Sequence, residues 1–147
     1  MVFKTKKRER GSTLVEFAIG ATVFLTAMFA VLEFGRALWV HNALSDAARR
    51  GARYAVLNPS SSEQAVKNVV VYGDPAGGTQ PLVEKLSTSD NVVVTYSSFS
   101  LDSGTASVTI TGYQFRLIIP IIGRTIQMPN YHTTLTAESV GLIPPNI

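Results

Sequence analysis

The chain has 147 residues, no cysteine and a formal charge of +3. The lack of cysteine excludes disulfides, thiolate metal sites and cysteine nucleophiles. Lys4, Lys6, Lys7, Arg8 and Arg10 crowd into the first ten residues, whereas from Ser12 onward eight cations meet nine acids, a net of −1. The basicity therefore belongs to a short tail, and the near-neutral remainder argues against nucleic-acid binding.

Residues 1–11 form a basic leader. Behind it, Leu14 to Leu32 is apolar apart from Glu16, Thr22, Thr26 and small residues. Nineteen helical residues span about 28 Å, close to the hydrocarbon thickness of a bilayer. The run is longer than the core of a cleavable secretory signal, and Leu32-Glu33-Phe34-Gly35 lacks a small-x-small cleavage pattern. Cations ahead of the run predict a cytoplasmic N-terminus and a body exported across the membrane.

Helical spacing continues past the apolar run to Leu57, where Asn58-Pro59 supplies the stop. One helix over residues 12–57 is expected, its first half (about 14–32) in lipid and its outer half (33–57) projecting. Ala43, Ala47, Gly51 and Ala55 repeat every four residues on that outer half. A row of small side chains lets another backbone approach closely, and a mid-helix glycine suggests crowding. The row seats either the protein's own sheet or a neighbouring subunit; a plain alanine-rich helix is the bland alternative. Arg49, Arg50 and Arg53 read as a solvated or lipid-headgroup face.

Residues 58–147 read as an α+β body. Ser60 to Gly73 is expected to form a short helix, with Ser60 or Ser61 capping it, Glu63 or Gln64 completing a capping box, and Gly73 closing it. Gly73 to Pro81 is turn-rich. Asn91–Tyr96, Ala106–Phe115 and Thr133–Val140 read as strands of an antiparallel sheet packed on the outer half of the long helix. Between the last two, Leu117 to Gly123 is apolar and broken by Pro120. It is either a hairpin tip tucked under the core or an adhesive patch for the membrane surface or a partner.

Chemistry-bearing motifs are scarce. His41 and His132 lack ligand-spaced companions, so no metal site is expected. "GDPAGG" lacks the lysine of a phosphate loop, and no serine sits in a nucleophile motif. The expectation is a non-enzyme without cofactors.

Glu16 remains to be explained, because a carboxylate in a membrane helix is normally kept for a partner. Severing the Gly11–Ser12 bond would remove every cation of the tail and create an α-amine at Ser12. That amine would lie one turn from Glu16 in the same helix, or opposite the Glu16 of a staggered neighbour. A basic leader ending in glycine, with glutamate five residues beyond the cut and an apolar helix, resembles the N-terminus of type IV prepilins. The stretch from Arg10 to Val56, with Val15-Glu16-Phe17-Ala18, Glu33-Phe34-Gly35-Arg36 and Ala47-Ala48-Arg49-Arg50-Gly51-Ala52-Arg53-Tyr54-Ala55, resembles the TadE-like family of Flp (tight adherence) pilus systems. That resemblance implies cleavage between Gly11 and Ser12 by a prepilin peptidase. It further implies a minor pilin or pseudopilin in the bacterial cytoplasmic membrane, with other pilin subunits and a pilus assembly platform as partners, and possible participation in adhesion. The alternative is an uncut single-pass protein whose exported sheet binds a partner.

Overall fold

The structure, a computed structural model, describes residues 9–100, 103–118 and 125–136. Its dominant element is one continuous helix, α1 (Glu9–Leu57), of 49 residues. At 1.5 Å per residue it is about 74 Å long, and it begins three residues earlier than the sequence suggests. No proline interrupts the run up to Asn58, whose side-chain amide donates to the Tyr54 carbonyl at 2.9 Å, and Pro59 ends the helix.

A 3-10 turn (Ser60–Ser62) leads into α2 (Glu63–Tyr72). Here the expected capping box does not form: Ser62 occupies the cap position and makes no side-chain cap bond. The 3-10 turn supplies the entry instead, through the Ser62 N–H bond to the Pro59 carbonyl at 2.9 Å. The helix closes on Gly73, whose left-handed conformation (φ 79°) lets its N–H bond the Val69 carbonyl at 3.0 Å.

Three antiparallel strands make the sheet, in the order β1 (Val92–Ser100), β2 (Ser103–Ile110), β5 (Tyr131–Thr136). Val92 opposes Ile110, which opposes Tyr131. The strand expected over Ala106–Phe115 is divided, since β2 ends at Ile110 and the chain turns through Gly112 (φ 69°). It resumes as β3 (Gln114–Arg116), which pairs with β4 (Thr125–Gln127). β1 starts one residue later than expected and runs four residues further. β5 starts two residues earlier, and residues 137–140 of the expected last strand lie outside the described residues. So do 119–123, most of the apolar Leu117–Gly123 segment.

Strand alternation sorts the two faces of the sheet. Val92, Ala106, Val108, Ile110 and Tyr131 are buried against the helices. The opposite face carries Thr95, Ser107, Thr109, His132 and Thr134. His132 is tied into that hydroxyl surface, with one ring nitrogen 2.9 Å from Thr109 Oγ1 and the other 2.9 Å from Thr134 Oγ1. The core thus lies between the outer half of α1, α2 and one sheet face. The inner half of α1 projects away from it, with Leu14, Phe17, Phe24, Phe29 and Leu32 exposed.

Candidate functional site at the membrane-proximal junction

Three regions of α1 carry the candidate residues. At its start, Gly11 and Ser12 are exposed and already helical. Ser12 Oγ donates to Glu16 Oε1 at 3.2 Å across one turn. Nothing lies within 4 Å of the position a Gly11 Cβ would take. Glu16 is the single charged residue between Gly11 and Leu32, on an α1 segment long and apolar enough to cross a bilayer and uncovered by the body. Thr22 and Thr26 turn their hydroxyls back to the carbonyls of Ala18 and Thr22, both at 2.8 Å. Their polarity is thereby satisfied within the helix, as a lipid-facing segment requires.

On the outer half, the small-residue row faces the protein's own body. Ala47 and Ala55 are fully buried, Gly51 is buried and Ala43 half-buried. A Cβ on Gly51 would lie 2.3 Å from Val70 Cγ2 of α2 and 3.3 Å from Val108 Cγ1 of β2. At Gly51, therefore, α1 comes close to both α2 and the sheet. Arg49 and Arg53 are exposed and Arg50 pairs with Asp46. Arg49 lies about 25 Å along the helix from Leu32, well outside a headgroup layer about 5–8 Å deep. With residues 14–32 in lipid, that distance fits the solvated reading of the patch better than the headgroup one.

Between these regions lies a junction that sequence reasoning missed. Glu33, the first residue beyond the apolar run, is buried in the body and pairs with Arg36 one turn on. The same Arg36 nitrogen donates to the backbone carbonyl of Arg116 in β3. The guanidinium carbon lies 4.3 Å from the centre of the Phe115 ring. Glu33 in turn accepts the backbone N–H of Ile118 at 3.2 Å. Two charges on α1 thus hold both ends of a short backbone stretch of the body. The hydrogen bond from Arg36 holds the Glu33 carboxyl below the ordinary carboxylate range, against the upward pull of burial and with help from the Ile118 N–H. The i, i+3 spacing of Glu33 and Arg36 was visible in the sequence. Their shared partners are backbone groups more than eighty residues away, which no side-chain pattern announces.

A second tie lies two turns higher, where His41 Nδ1 is 2.9 Å from the Tyr131 hydroxyl and the rings meet edge-on with centroids 5.2 Å apart. Tyr113 donates to the Glu84 carbonyl at 2.9 Å. Burial raises the pKa of both tyrosines above the ordinary phenol range. The ties from Glu33, Arg36 and His41 join the outer half of α1 to the body from Glu33 onward, where the apolar run stops. Among the described residues no group of three or more His, Asp or Glu side chains could hold a metal ion.

The family model described as TadE-like protein matches residues 11–53, the part of the chain that holds Gly11, Ser12, Glu16, the Glu33–Arg36 pair and, of the small-residue row, Ala43, Ala47 and Gly51. The match covers the first part of the chain, on the helix that is long and apolar enough to cross a membrane. No curated protein and no solved structure matches the chain.

Proposed function

We propose, for a chain whose first third carries the TadE-like signature, a pilin-like structural subunit: a minor pilin or pseudopilin that a prepilin peptidase cuts between Gly11 and Ser12. The leader cations hold the N-terminus in the cytoplasm while the body is exported. Cleavage removes them and leaves an α-amine at Ser12. The freed helix then packs beside the helices of other pilin subunits at the assembly platform, where Glu16 meets an N-terminal amine. In a low-dielectric bundle that pairing is strong, and it selects the stagger between neighbours. The body rides outside the membrane and contributes to the pilus and to adhesion.

The observation that carries this reading is Glu16 itself: a lone carboxylate on the uncovered apolar helix whose described hydrogen-bond donor, Ser12, becomes the first residue after the cut. The unbroken helix across Gly11–Ser12 favours a second reading, an uncut membrane anchor, because a peptidase must unwind that turn to reach the bond. Two variants separate them. Gly11→Val should leave the leader attached and keep the protein in the membrane fraction. Glu16→Ala should be cut normally yet be depleted from sheared filaments. Normal cutting of Gly11→Val, or undiminished Glu16→Ala in the filament fraction, counts against the proposal.

A further inference from the structure

Above the Glu33–Arg36 junction, α1, β3 and the loop after α2 enclose a groove of about 640 Å³. Arg36, Phe115 and Val40 line its inner part, and Trp39, Lys85 and Arg116 its rim. We infer that this groove holds the headgroup of an anionic phospholipid from the leaflet on the body's side. The inference rests on the reading of residues 14–32 as the membrane span.

Depth comes first. Arg36 lies about 6 Å and Trp39 about 10 Å along the helix beyond Leu32, while the headgroup layer occupies about 5–8 Å on each side of the hydrocarbon. Helix side chains lean toward the N-terminus, here toward the membrane. The Trp39 ring therefore reaches back into that layer, although Trp39 is 60% exposed in the isolated protein. Tryptophan at such a depth is the usual interfacial anchor. Ile118, 69% exposed, leads the β3 strand out toward the same boundary.

Charge comes second. Glu33 neutralises Arg36, which leaves Lys85 and Arg116 against Glu84 on the lining. Neither cation makes an ion pair among the described residues. One net positive charge with two free cationic arms matches one phosphodiester. Lys85 is also the only non-glycine residue with positive φ (64°) among the described residues.

Trp39 is the sole tryptophan, so its fluorescence reports on this groove alone. The full chain is placed in phosphatidylcholine nanodiscs containing a minor fraction of headgroup-proximal spin-labelled lipid, either phosphatidylglycerol or phosphatidylcholine. Labelled phosphatidylglycerol should quench Trp39 at lower mole fraction and saturably. Glycerol phosphate in solution should not compete at equal concentration, because a free anion lacks the anchoring in lipid. The double variant Lys85→Gln/Arg116→Gln should lose about 25-fold of the preference, at about fivefold per cation. Its quenching by labelled phosphatidylcholine should stay unchanged, which shows that the junction is intact. Equal quenching by the two lipids, a preference that survives the double variant, or competition by glycerol phosphate would each overturn the lipid site. Quenching by neither lipid overturns it together with the membrane placement, and so distinguishes the two failures.

Discussion

Gly51 offers the most demanding test of how α1 is seated. Replacing glycine by alanine inside a helix normally stabilises it by about 1 kcal/mol. At Gly51 the added methyl would sit 2.3 Å from Val70 Cγ2, with Val108 Cγ1 at 3.3 Å behind. Carbon contacts are comfortable at about 3.5–4.0 Å, so Val70 must retreat by more than 1 Å. Val70 is fully buried and β-branched, as is Val108, and neither has a free rotamer to move into. Overpacking of this kind costs about 1–3 kcal/mol and outweighs the propensity gain. Gly51→Ala should therefore lower stability by up to about 2 kcal/mol, or at most roughly 8–16 °C in Tm for a body of this size. The assay is thermal unfolding of the full chain in detergent, followed by near-ultraviolet circular dichroism. Gly35→Ala, where nothing lies within 4 Å of the added carbon, is the matched control and should be neutral or stabilising. In Gly51→Ala/Val70→Ala the new methyl occupies space the valine vacates, so the double variant should lose less than the two single losses combined, by about 1 kcal/mol. If Gly51→Ala stabilises as much as Gly35→Ala, the close seat of α1 on α2 and β2 is refuted.

Other outcomes follow from the ties beside it. Glu33→Gln removes the charge that Arg36 is paired with and weakens the acceptor for the Ile118 N–H, so the body should lose about 1–3 kcal/mol in the same melt. Because the Glu33 pKa is lowered from about 4.5, the unfolded chain binds the proton more readily. Its contribution is then complete above that value and is lost as the pH falls through the depressed folded value. Below about pH 4.5 the wild type should lose stability more steeply than Glu33→Gln; parallel curves would remove Glu33 from the acid transition. Tyr131→Phe deletes the hydroxyl facing His41 and should cost about 0.5–1.5 kcal/mol, with no change expected in cleavage at Gly11.

Much of the architecture was legible because it rests on local chemistry. Asn58-Pro59 stops α1 and Gly73 stops α2, each through a backbone restriction that the residue type dictates. The four-residue repeat of Ala43, Ala47, Gly51 and Ala55 announced a close contact, but its occupant, Val70 of α2 together with Val108 of β2, required the tertiary fold. The strand boundaries were less visible. Thr111-Gly112-Tyr113 continues an apolar and β-branched run, and only the left-handed Gly112 separates β2 from β3. The capping box failed because a 3-10 turn had already satisfied the entry to α2. The Glu33–Arg36 junction was hidden for a different reason: its partners are a carbonyl and an N–H, and backbone groups carry no signature.

Processing is the step from which the proposed assembly begins, and it has a direct readout in the intact mass of the protein recovered from the membrane and pilus fractions of cells with a working pilus apparatus. A mass short of Met1–Gly11, with Ser12 as the first residue, is the predicted result. A chain that still carries its leader in both fractions would contradict it and leave Glu16 without the amine it is proposed to meet.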